Sequence, residues 1–385
     1  MSCNFDQIID RRNSHSEKWC HYDEDVLPLW VADMDFTAPE AVIQALRERV
    51  EHGIFGYCGD PPELREVVQE RLARLYNWRV EADAILFVPG VMPGVNQACH
   101  ALSQPGDDIL VEIPVYPPLF RAPENTHCNS LLVPLAEESD RYVHDFDAVE
   151  EAITDRTSMF LLCSPHNPVG TVFNRAEVEQ LAEICLRYDV VICTDEIHSD
   201  IVFDGHRHIP AASLSPEVAA RCVTFFAPSK TFNIPGLYCS VGVIQNPDLR
   251  ARFKTAREGL VPSVNSLGLV AALAAYQDGA EWLEGLLSYL RANRDCLREH
   301  IATHMPAIKC KQVEGTFLAW LDCRELRIPG GKNPHQFFLE DARVALNDGA
   351  KFGAGGEGFV RLNFGCPRST LVQALERMRA AVESL

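Results

Sequence analysis

The sequence predicts an α/β fold, a mostly parallel seven-stranded sheet flanked by helices with a smaller α+β domain. Two observations carry this prediction. Seven short apolar runs alternate with amphipathic stretches, and most of the runs show no alternation of polar residues. Strands that are covered on both faces of a parallel sheet have this continuous apolar pattern, and strand–helix alternation is typical of doubly wound domains.

The seven apolar runs are the predicted strands of the large domain, which we expect at residues 45–278. Each run has the length of an ordinary strand. They occupy residues 85–88, 109–113, 131–135, 159–163, 190–194, 222–226 and 240–244. The amphipathic stretches predict helices, and one of them begins with Asn174 followed three residues later by Glu177, the spacing of a capping box. The predicted helices are residues 40–51, 63–76, 95–103 and 174–189.

The pattern changes after about residue 275, where the remaining chain resembles an α+β module. We assign residues 279–385 to the smaller domain. A glycine-rich run at 353–358 precedes a strand rather than a helix, so we interpret it as a hairpin turn. The predicted elements are helices at 280–304, 334–347 and 369–385 and strands at 315–321 and 358–364.

Charge and composition exclude several classes of partner. The formal net charge is −19 and the pI is about 5.1, so the basic surface that binds nucleic acid is not expected. No apolar stretch approaches the roughly 18 residues of a membrane span, and the first residues are too polar for a signal peptide. The 14 cysteines are scattered without a CxxC pair. A reducing cytoplasm is therefore the expected compartment.

Lys230 is the strongest candidate for a chemical role. The chain has seven lysines against 28 arginines, and this one directly follows an apolar run and precedes a turn-forming Asn-Ile-Pro-Gly segment. A lysine at the edge of a buried site can have a lowered pKa, which makes it a usable nucleophile and base. The alternative is a lysine whose stem lies along a strand end while its amine reaches solvent.

Two polar side chains follow other strands of the predicted sheet. Asn167 lies in Ser-Pro-His-Asn-Pro-Val-Gly after run 159–163, and Asp195 closes run 190–194. Ligands of open α/β sheets bind at this edge, where Asn167 could donate to a phenolate oxygen and Asp195 could meet a cation. The alternatives are a turn at Asn167 and a helix N-cap at Asp195.

Other polar clusters have competing interpretations. The glycine- and proline-rich segment 89–94 begins a helix whose free N–H groups could bind phosphate, although it is neither GxGxxG nor a P-loop. The segment 195–208 holds acids and histidines without a compact metal-ligand spacing, and two of its histidines lie in an apparently exposed loop, so no metal is expected. Arg361 stands in an apolar strand, where it binds a carboxylate or forms a structural salt bridge.

Taken in order, these segments resemble fold-type I enzymes that use pyridoxal 5′-phosphate (PLP), the class I/II aminotransferase superfamily. More narrowly, the chain is similar to the cystathionine β-lyases of the MalY/PatB type. The resemblance assigns residues 1–44 to the smaller domain. The segments that carry it span nearly the whole chain: LPLWVADMDF (27–36), SPHNPVG, DEIHSDIVFDGHRHIP, APSKTFNIPGL, EGTFLAWLD (314–322) and FVRLNFGCPRS (359–369).

The resemblance implies a role for each matching residue. Lys230 corresponds to the lysine that holds PLP as a Schiff base, and Asp195 to the partner of the pyridine nitrogen. Arg361 corresponds to the ligand of the substrate α-carboxylate. The remaining implied residues are Asn167 and His198 at the 3′-oxygen, Tyr116 on the cofactor ring, Val91, Met92 and Ser229 at the phosphate, Trp30 at the substrate entrance, and Tyr57, which would reach the phosphate of the neighbouring subunit in a homodimer.

Four positions depart from the family pattern. Ala227 and Tyr238 stand where the wider superfamily has a hydroxyl and an arginine on the phosphate, so Ser229, backbone amides and Tyr57 must contribute more. His198 stands where many aminotransferases have a tyrosine. Cys20 replaces the aspartate of the N-terminal KWD pattern, a change that the sequence does not explain.

The expected activity is that of a PLP-dependent carbon–sulfur β-lyase. The substrates implied by the resemblance are cystathionine or related cysteine S-conjugates, which would be cleaved to a thiol, pyruvate and ammonia. An aminotransferase that uses the same residues is the alternative. A non-catalytic PLP-binding regulatory protein is a further alternative, disfavoured because Lys230, Asp195 and Arg361 are all present.

Overall fold

The computed structural model describes residues 4–385 and contains fifteen strands. Residues 1–3, the start of the expected N-terminal part of the smaller domain, lie outside the described residues. The strands in chain order are β1 (Leu27–Pro28), β2 (Ile85–Val88), β3 (Asp108–Ile113), β4 (Asn129–Pro134), β5 (Ala136–Glu137), β6 (Tyr142–Val143), β7 (Thr157–Cys163), β8 (Val191–Asp195), β9 (Cys222–Phe226), β10 (Ser240–Val243), β11 (Lys309–Cys310), β12 (Leu318–Asp322), β13 (Val344–Ala345), β14 (Asn347–Asp348) and β15 (Phe359–Asn363).

The α-helices include most of those predicted from the sequence. The capping box of Asn174 and Glu177 begins α7, with both of its hydrogen bonds formed. The helices are α1 (Glu17–Cys20), α2 (Glu40–Glu51), α3 (Pro62–Tyr76), α4 (Val91–Leu102), α5 (Pro117–Arg121), α6 (Phe146–Ala152), α7 (Arg175–Arg187), α8 (Pro216–Ala219), α9 (Pro228–Thr231), α10 (Pro247–Arg257), α11 (Ser266–Asp278), α12 (Ala280–His304), α13 (Pro334–Glu340) and α14 (Arg368–Glu383).

All seven predicted strands of the large domain belong to one sheet, with the order β2-β10-β9-β8-β7-β3-β4. Strand β10 is antiparallel to both of its neighbours, and the other four pairs are parallel. The prediction of a mostly parallel seven-stranded sheet is therefore confirmed. In the register, Cys163 of β7 lies beside Asp195 of β8, and Asp195 lies beside Phe225 of β9. The segments that follow β7, β8 and β9 consequently meet at one edge of the sheet.

The C-terminal part of the chain forms an antiparallel sheet with the order β11-β12-β15-β14. The N-terminal segment reaches the same region, because β1 pairs in parallel with β13 through Leu27 and Val344. One hydrophobic cluster joins Leu29 and Met34 to residues of β12, β15 and α14. These contacts agree with a smaller domain made of residues 1–44 and 279–385, and the domain boundaries themselves stay a prediction.

Two helix predictions need correction. The helix expected at 334–347 ends at Glu340, because Arg343 has a left-handed backbone (φ 54°) and the chain then forms the short strands β13 and β14. The helix expected at 95–103 begins four residues earlier, at Val91. Pro93 lies in its first turn, where a missing N–H costs no intrahelical bond. The glycine-rich run 353–358 lies in the connection between the antiparallel strands β14 and β15, as predicted.

The thirteen cysteines in residues 4–385 are free thiols. Cys163, Cys185, Cys193 and Cys222 are among the buried ones. A reducing cytoplasm stays a prediction. In the described part of the chain, no helix combines the length and the apolarity needed to cross a bilayer.

Candidate active site

One cavity of about 390 Å³ at the edge of the large sheet gathers most of the residues singled out in the sequence. It lies where the segments after β7, β8 and β9 meet the N-terminal segment and β15. Ten of the eleven candidates line it, and only Tyr57 lies elsewhere. The ten are Lys230, Asp195, Asn167, Tyr116, His198, Val91, Met92, Ser229, Arg361 and Trp30.

Lys230 lies in the short helix α9, which starts directly after β9. Its Nζ atom donates a hydrogen bond to the carbonyl of Ala32, at 2.5 Å. Burial lowers the pKa of this amine to about 8, and the positive charge of Arg361 adds to the effect while Asp33 and Asp195 oppose it. A substantial fraction of the side chain is therefore neutral just above neutral pH, which an amine nucleophile requires.

Asp195 ends β8 and is buried, with 5% of its surface exposed. Its carboxylate accepts one hydrogen bond, from the backbone N–H of Ile197 at 3.1 Å. Burial raises the pKa of Asp195 to about 6, because this single donor and the charge of Lys230 do not compensate for the loss of water. Among residues 4–385 no cation forms a salt bridge with this carboxylate, whereas a buried acid normally has such a partner.

Arg361 lies in β15 and is buried among neutral acceptors. Its Nη1 donates to Oδ1 of Asn167 at 2.9 Å, and its Nη2 donates to the carbonyl of Trp30 at 2.8 Å. The buried Nε has no partner in residues 4–385. Burial lowers the pKa of Arg361 to about 10, so the guanidinium stays charged at neutral pH without a carboxylate partner. This is a site for an anion from outside the chain.

The N-terminus of α4 forms one end of the cavity. Gly90 precedes the helix with φ 118°, a conformation that favours glycine, and Val91 and Met92 begin the first turn. The N–H groups of such a turn and the helix dipole attract phosphate. The lining residues Ser229 and Tyr238 supply hydroxyl groups at the same cavity. Ala227 is buried and is not among the lining residues.

Two further lining residues are His198 and Tyr116. His198 is buried, and burial, together with Lys230 and Arg361, lowers its pKa well below the usual range, so its ring is neutral. Its Nδ1 has no partner in the described residues. Tyr116 precedes α5, and its backbone N–H donates to the carbonyl of Asn167 at 3.0 Å.

Tyr57, Cys20 and the loop of the two histidines are not among the lining residues. Tyr57 is fully exposed. Cys20 is exposed at the end of α1, where its thiol contacts the carbonyl of Arg12. The loop of the two histidines is only partly exposed, which corrects the sequence-based interpretation: His208 is buried, and its Nε2 contacts Glu196 at 2.6 Å.

Comparison with known proteins is consistent with this geometry. Residues 24–378 match the family model described as aminotransferase class I and II. The chain belongs to the class I and II aminotransferase family. Cystathionine beta-lyase PatB of Bacillus subtilis is 39% identical over 98% of this chain and 100% of its own length.

Solved structures of other relatives superpose on this family member over nearly its full length. Cystalysin from Treponema denticola, whose structure contains a pyridoxal 5′-phosphate cofactor, has a TM-score of 0.95 at 32% identity and covers 100% of both chains. A structure named OvoB has a TM-score of 0.95 at 43% identity and covers 99% of this chain and 100% of its own. Aspartate aminotransferase of Pyrococcus horikoshii is a more distant relative, 25% identical over 94% of this chain and 91% of its own length.

Three residues of this aminotransferase-family site were missed in the sequence. Ala32 acts through its backbone carbonyl, which no side-chain pattern reveals. Asn347 lines the cavity and accepts a hydrogen bond from Arg361, but it fell at the end of a wrongly predicted helix. Asn363, two residues beyond Arg361 in β15, holds the segment that contains Ala32. Its position in the apolar run 359–364 was the available signal.

Proposed function

We propose that this chain binds PLP covalently through Lys230 and cleaves the carbon–sulfur bond of cystathionine or a related cysteine S-conjugate, releasing a thiol, pyruvate and ammonia. One observation carries the proposal. In the part of the chain that the structure describes, a single cavity holds a buried amine of lowered pKa, a buried carboxylate with no salt-bridge cation, and a buried guanidinium with no paired anion. Each of the three lacks the partner that PLP with an amino acid would provide.

The residues at the cavity fit PLP at several points. Asp195 would pair with the protonated pyridine nitrogen, which supplies the cation that its buried carboxylate lacks. The neutral ring of His198 and the amide of Asn167 would lie at the phenolic oxygen. The phosphate would bind the first turn of α4 and Ser229, because Lys230 and Arg361 are the only lysine or arginine side chains among the lining residues.

Lys230 would both attach the cofactor and move the substrate proton. PLP, when bound, supplies an electron sink for the carbon next to the amino group. With a pKa of about 8, the released amine of Lys230 can take the α-proton near neutral pH and later return a proton. The tether to Ala32 at 2.5 Å keeps the amine inside the cavity.

Arg361 would bind the α-carboxylate of the amino acid. No described residue accepts a hydrogen bond from its Nε, and its Nη1 and Nη2 donate to oxygens that stay neutral. The carboxylate would therefore be the first anion to pair with this guanidinium, and it would fix the substrate with its α-carbon towards Lys230. Trp30, whose carbonyl also binds Arg361, would border the substrate entrance.

The choice of a lyase over an aminotransferase rests on relatives. The relative PatB is named a cystathionine beta-lyase at 39% identity, whereas aspartate aminotransferase appears at 25%. The test is to incubate purified enzyme with cystathionine in the absence of any keto acid and to follow pyruvate. Steady pyruvate formation is expected. If no pyruvate forms and the amino group accumulates on the cofactor instead, the chain is an aminotransferase.

We also propose a homodimer in which Tyr57 completes the phosphate site of the neighbouring subunit. Tyr57 is fully exposed beside the exposed apolar residues Ile54 and Phe55. Contiguous exposed apolar residues are typical of interaction surfaces.

A subunit-mixing experiment tests the shared site. Lys230→Ala and Tyr57→Ala would each impair the enzyme. In a dimer of one Lys230→Ala subunit and one Tyr57→Ala subunit, both changes fall in the same active site, and the second active site is intact. Activity that reappears on mixing supports the dimer. A monomer in sedimentation, or no recovery from hybrids shown to form, contradicts it.

A further inference from the structure

Residues 30–33, here called the strap, cross the cavity. Their carbonyl groups accept hydrogen bonds alternately from a cationic side chain of the site and from Asn363. The carbonyl of Trp30 accepts from Arg361 at 2.8 Å, and that of Ala32 accepts from Lys230 at 2.5 Å. One short segment of backbone thus contacts both cationic side chains of the site. Its position determines where these two groups lie.

Asn363 binds the carbonyl groups of the residues before and after Ala32. Its Nδ2 donates to the carbonyl of Val31 and to that of Asp33, each at 2.6 Å. These two bonds flank Ala32 on both sides. The amide is fully buried, and its Oδ1 accepts the N–H of Gly365 at 2.7 Å, so the side chain has little freedom to move.

The strap is also anchored beyond Asp33. The N–H of Met34 donates to Oδ1 of Asn233 at 2.9 Å, and Lys18, which is fully buried, pairs with Asp35 at 2.7 Å. Residues on this side therefore stay fixed when Asn363 is changed. The expected effect of such a change is local, on the part of the strap that contains Ala32.

We propose that Asn363 is a positioning residue that holds the carbonyl of Ala32 as the acceptor for the amine of Lys230 during proton transfer. This inference rests on the proposed function, in which Lys230 takes the substrate α-proton while the electron pair of the broken C–H bond stays on the substrate. The lysine becomes an ammonium at that moment, and the carbonyl of Ala32 stabilises it by a charge-assisted hydrogen bond.

The effect arises from geometry. A lysine side chain has four rotatable bonds, and a base must lie within hydrogen-bond reach of the proton that it removes. Without Asn363 the carbonyl of Val31 loses this donor, and that of Asp33 keeps only the longer contact from Lys18 Nζ at 3.3 Å. The carbonyl of Ala32 between them is then held less firmly, and so is the amine of Lys230. A misplacement of about 1 Å can slow a reaction on the order of 100-fold.

The chain provides a matched control in Asn293. This asparagine is also fully buried, and its Nδ2 donates to the carbonyls of Phe364 at 2.9 Å and Cys366 at 2.8 Å. It does not line the cavity. Removing its amide costs the same kind of buried hydrogen bonds without touching the strap. Asn363→Ala and Asn293→Ala form the main pair, and the serine variants at both positions serve if either alanine variant fails to fold.

The first measurement is the exchange of the α-proton of L-alanine in D₂O, followed by NMR on PLP-loaded enzyme. Alanine has no group to expel, so the readout does not require carbon–sulfur cleavage. Asn363→Ala should lower the maximal exchange rate by about 10- to 100-fold, with little change in the alanine concentration for half-maximal rate. Asn293→Ala should leave both values near those of wild type.

The second measurement needs no cofactor. In cofactor-free protein, deuterium uptake of peptides covering residues 29–35 should be faster in Asn363→Ala than in wild type and unchanged in Asn293→Ala. Equal α-proton exchange rates in wild type and Asn363→Ala, or an equal slowing of α-proton exchange in Asn293→Ala, overturn this inference alone. Absence of α-proton exchange in wild type overturns the proposed function and the inference together.

Discussion

Asn347 lies directly opposite Arg361 in the antiparallel pair of β14 and β15, and its Oδ1 accepts a hydrogen bond from Arg361 Nη2. Together with Asn167 and the carbonyl of Trp30, it holds the guanidinium with neutral oxygens only. The positive charge of Arg361 is therefore oriented without being neutralised. Such an arrangement preserves the charge for an incoming carboxylate, and it makes the two residues separable by substitution.

Arg361→Lys should weaken selection of the substrate carboxylate. A lysine ammonium cannot reproduce the planar, bidentate geometry, and hydrogen bonds to charged groups contribute about 1.5–3 kcal/mol, so kcat/KM should fall by roughly 10- to 100-fold. Asn347→Ala removes only an orienting acceptor, and about 1 kcal/mol, or roughly five-fold, is expected. The measurement is kcat/KM for cystathionine and for an analogue without the α-carboxylate. An unchanged ratio between the two substrates in Arg361→Lys would contradict this role.

The sequence revealed the parts of the site that are local. Lys230, Asp195 and Asn167 each follow a buried strand, and the parallel sheet brings those strand ends together. The role of Asn347 depends on the register of an edge strand only two residues long, which apolar periodicity does not detect. The carbonyl of Ala32 is a backbone group that every residue has, so only the folded structure identifies it.

Lys230→Ala should abolish covalent attachment of the cofactor. Alanine offers neither nucleophile nor base, and turnover should drop on the order of 100-fold or more. Borohydride reduction and peptide mapping provide the measurement, with an adduct expected on the Lys230 peptide of wild type and on none in the variant. Lys309→Ala is the control, because this exposed lysine pairs with Glu325 at the surface, at 3.3 Å. An adduct on any other lysine of wild type would refute the assignment.

Asp195→Asn should change how the stability of the cofactor-free protein depends on pH. Burial raises the pKa of Asp195 from 3.8 to about 6, so the folded state keeps a proton that the unfolded chain loses. The stability that this proton contributes is fully present below about pH 4 and is lost as the pH rises through about 6.

Asparagine resembles the protonated acid at every pH. Between pH 5 and pH 8 the variant should therefore gain roughly 1 kcal/mol of unfolding free energy relative to wild type. Urea unfolding at the two pH values measures this difference, and parallel pH dependences would contradict it.

Gly94→Ala should destabilise the protein, although alanine is normally the better helix former by about 1 kcal/mol. An added Cβ at Gly94 in α4 would lie 2.5–3.0 Å from three ring atoms of Phe225, which is fully buried in β9 and packs against Phe253. At these distances either the buried ring or α4 must shift, and overpacking of this kind costs about 1–3 kcal/mol. Gly236→Ala is the control, since no atom lies within 4 Å of its added Cβ, and a change within about 0.5 kcal/mol is expected. Urea unfolding of both variants measures the cost. Equal stability of the two variants would show that α4 and β9 are less tightly packed than these distances require. Binding of PLP should also weaken in Gly94→Ala, because the first turn of α4 borders the cavity.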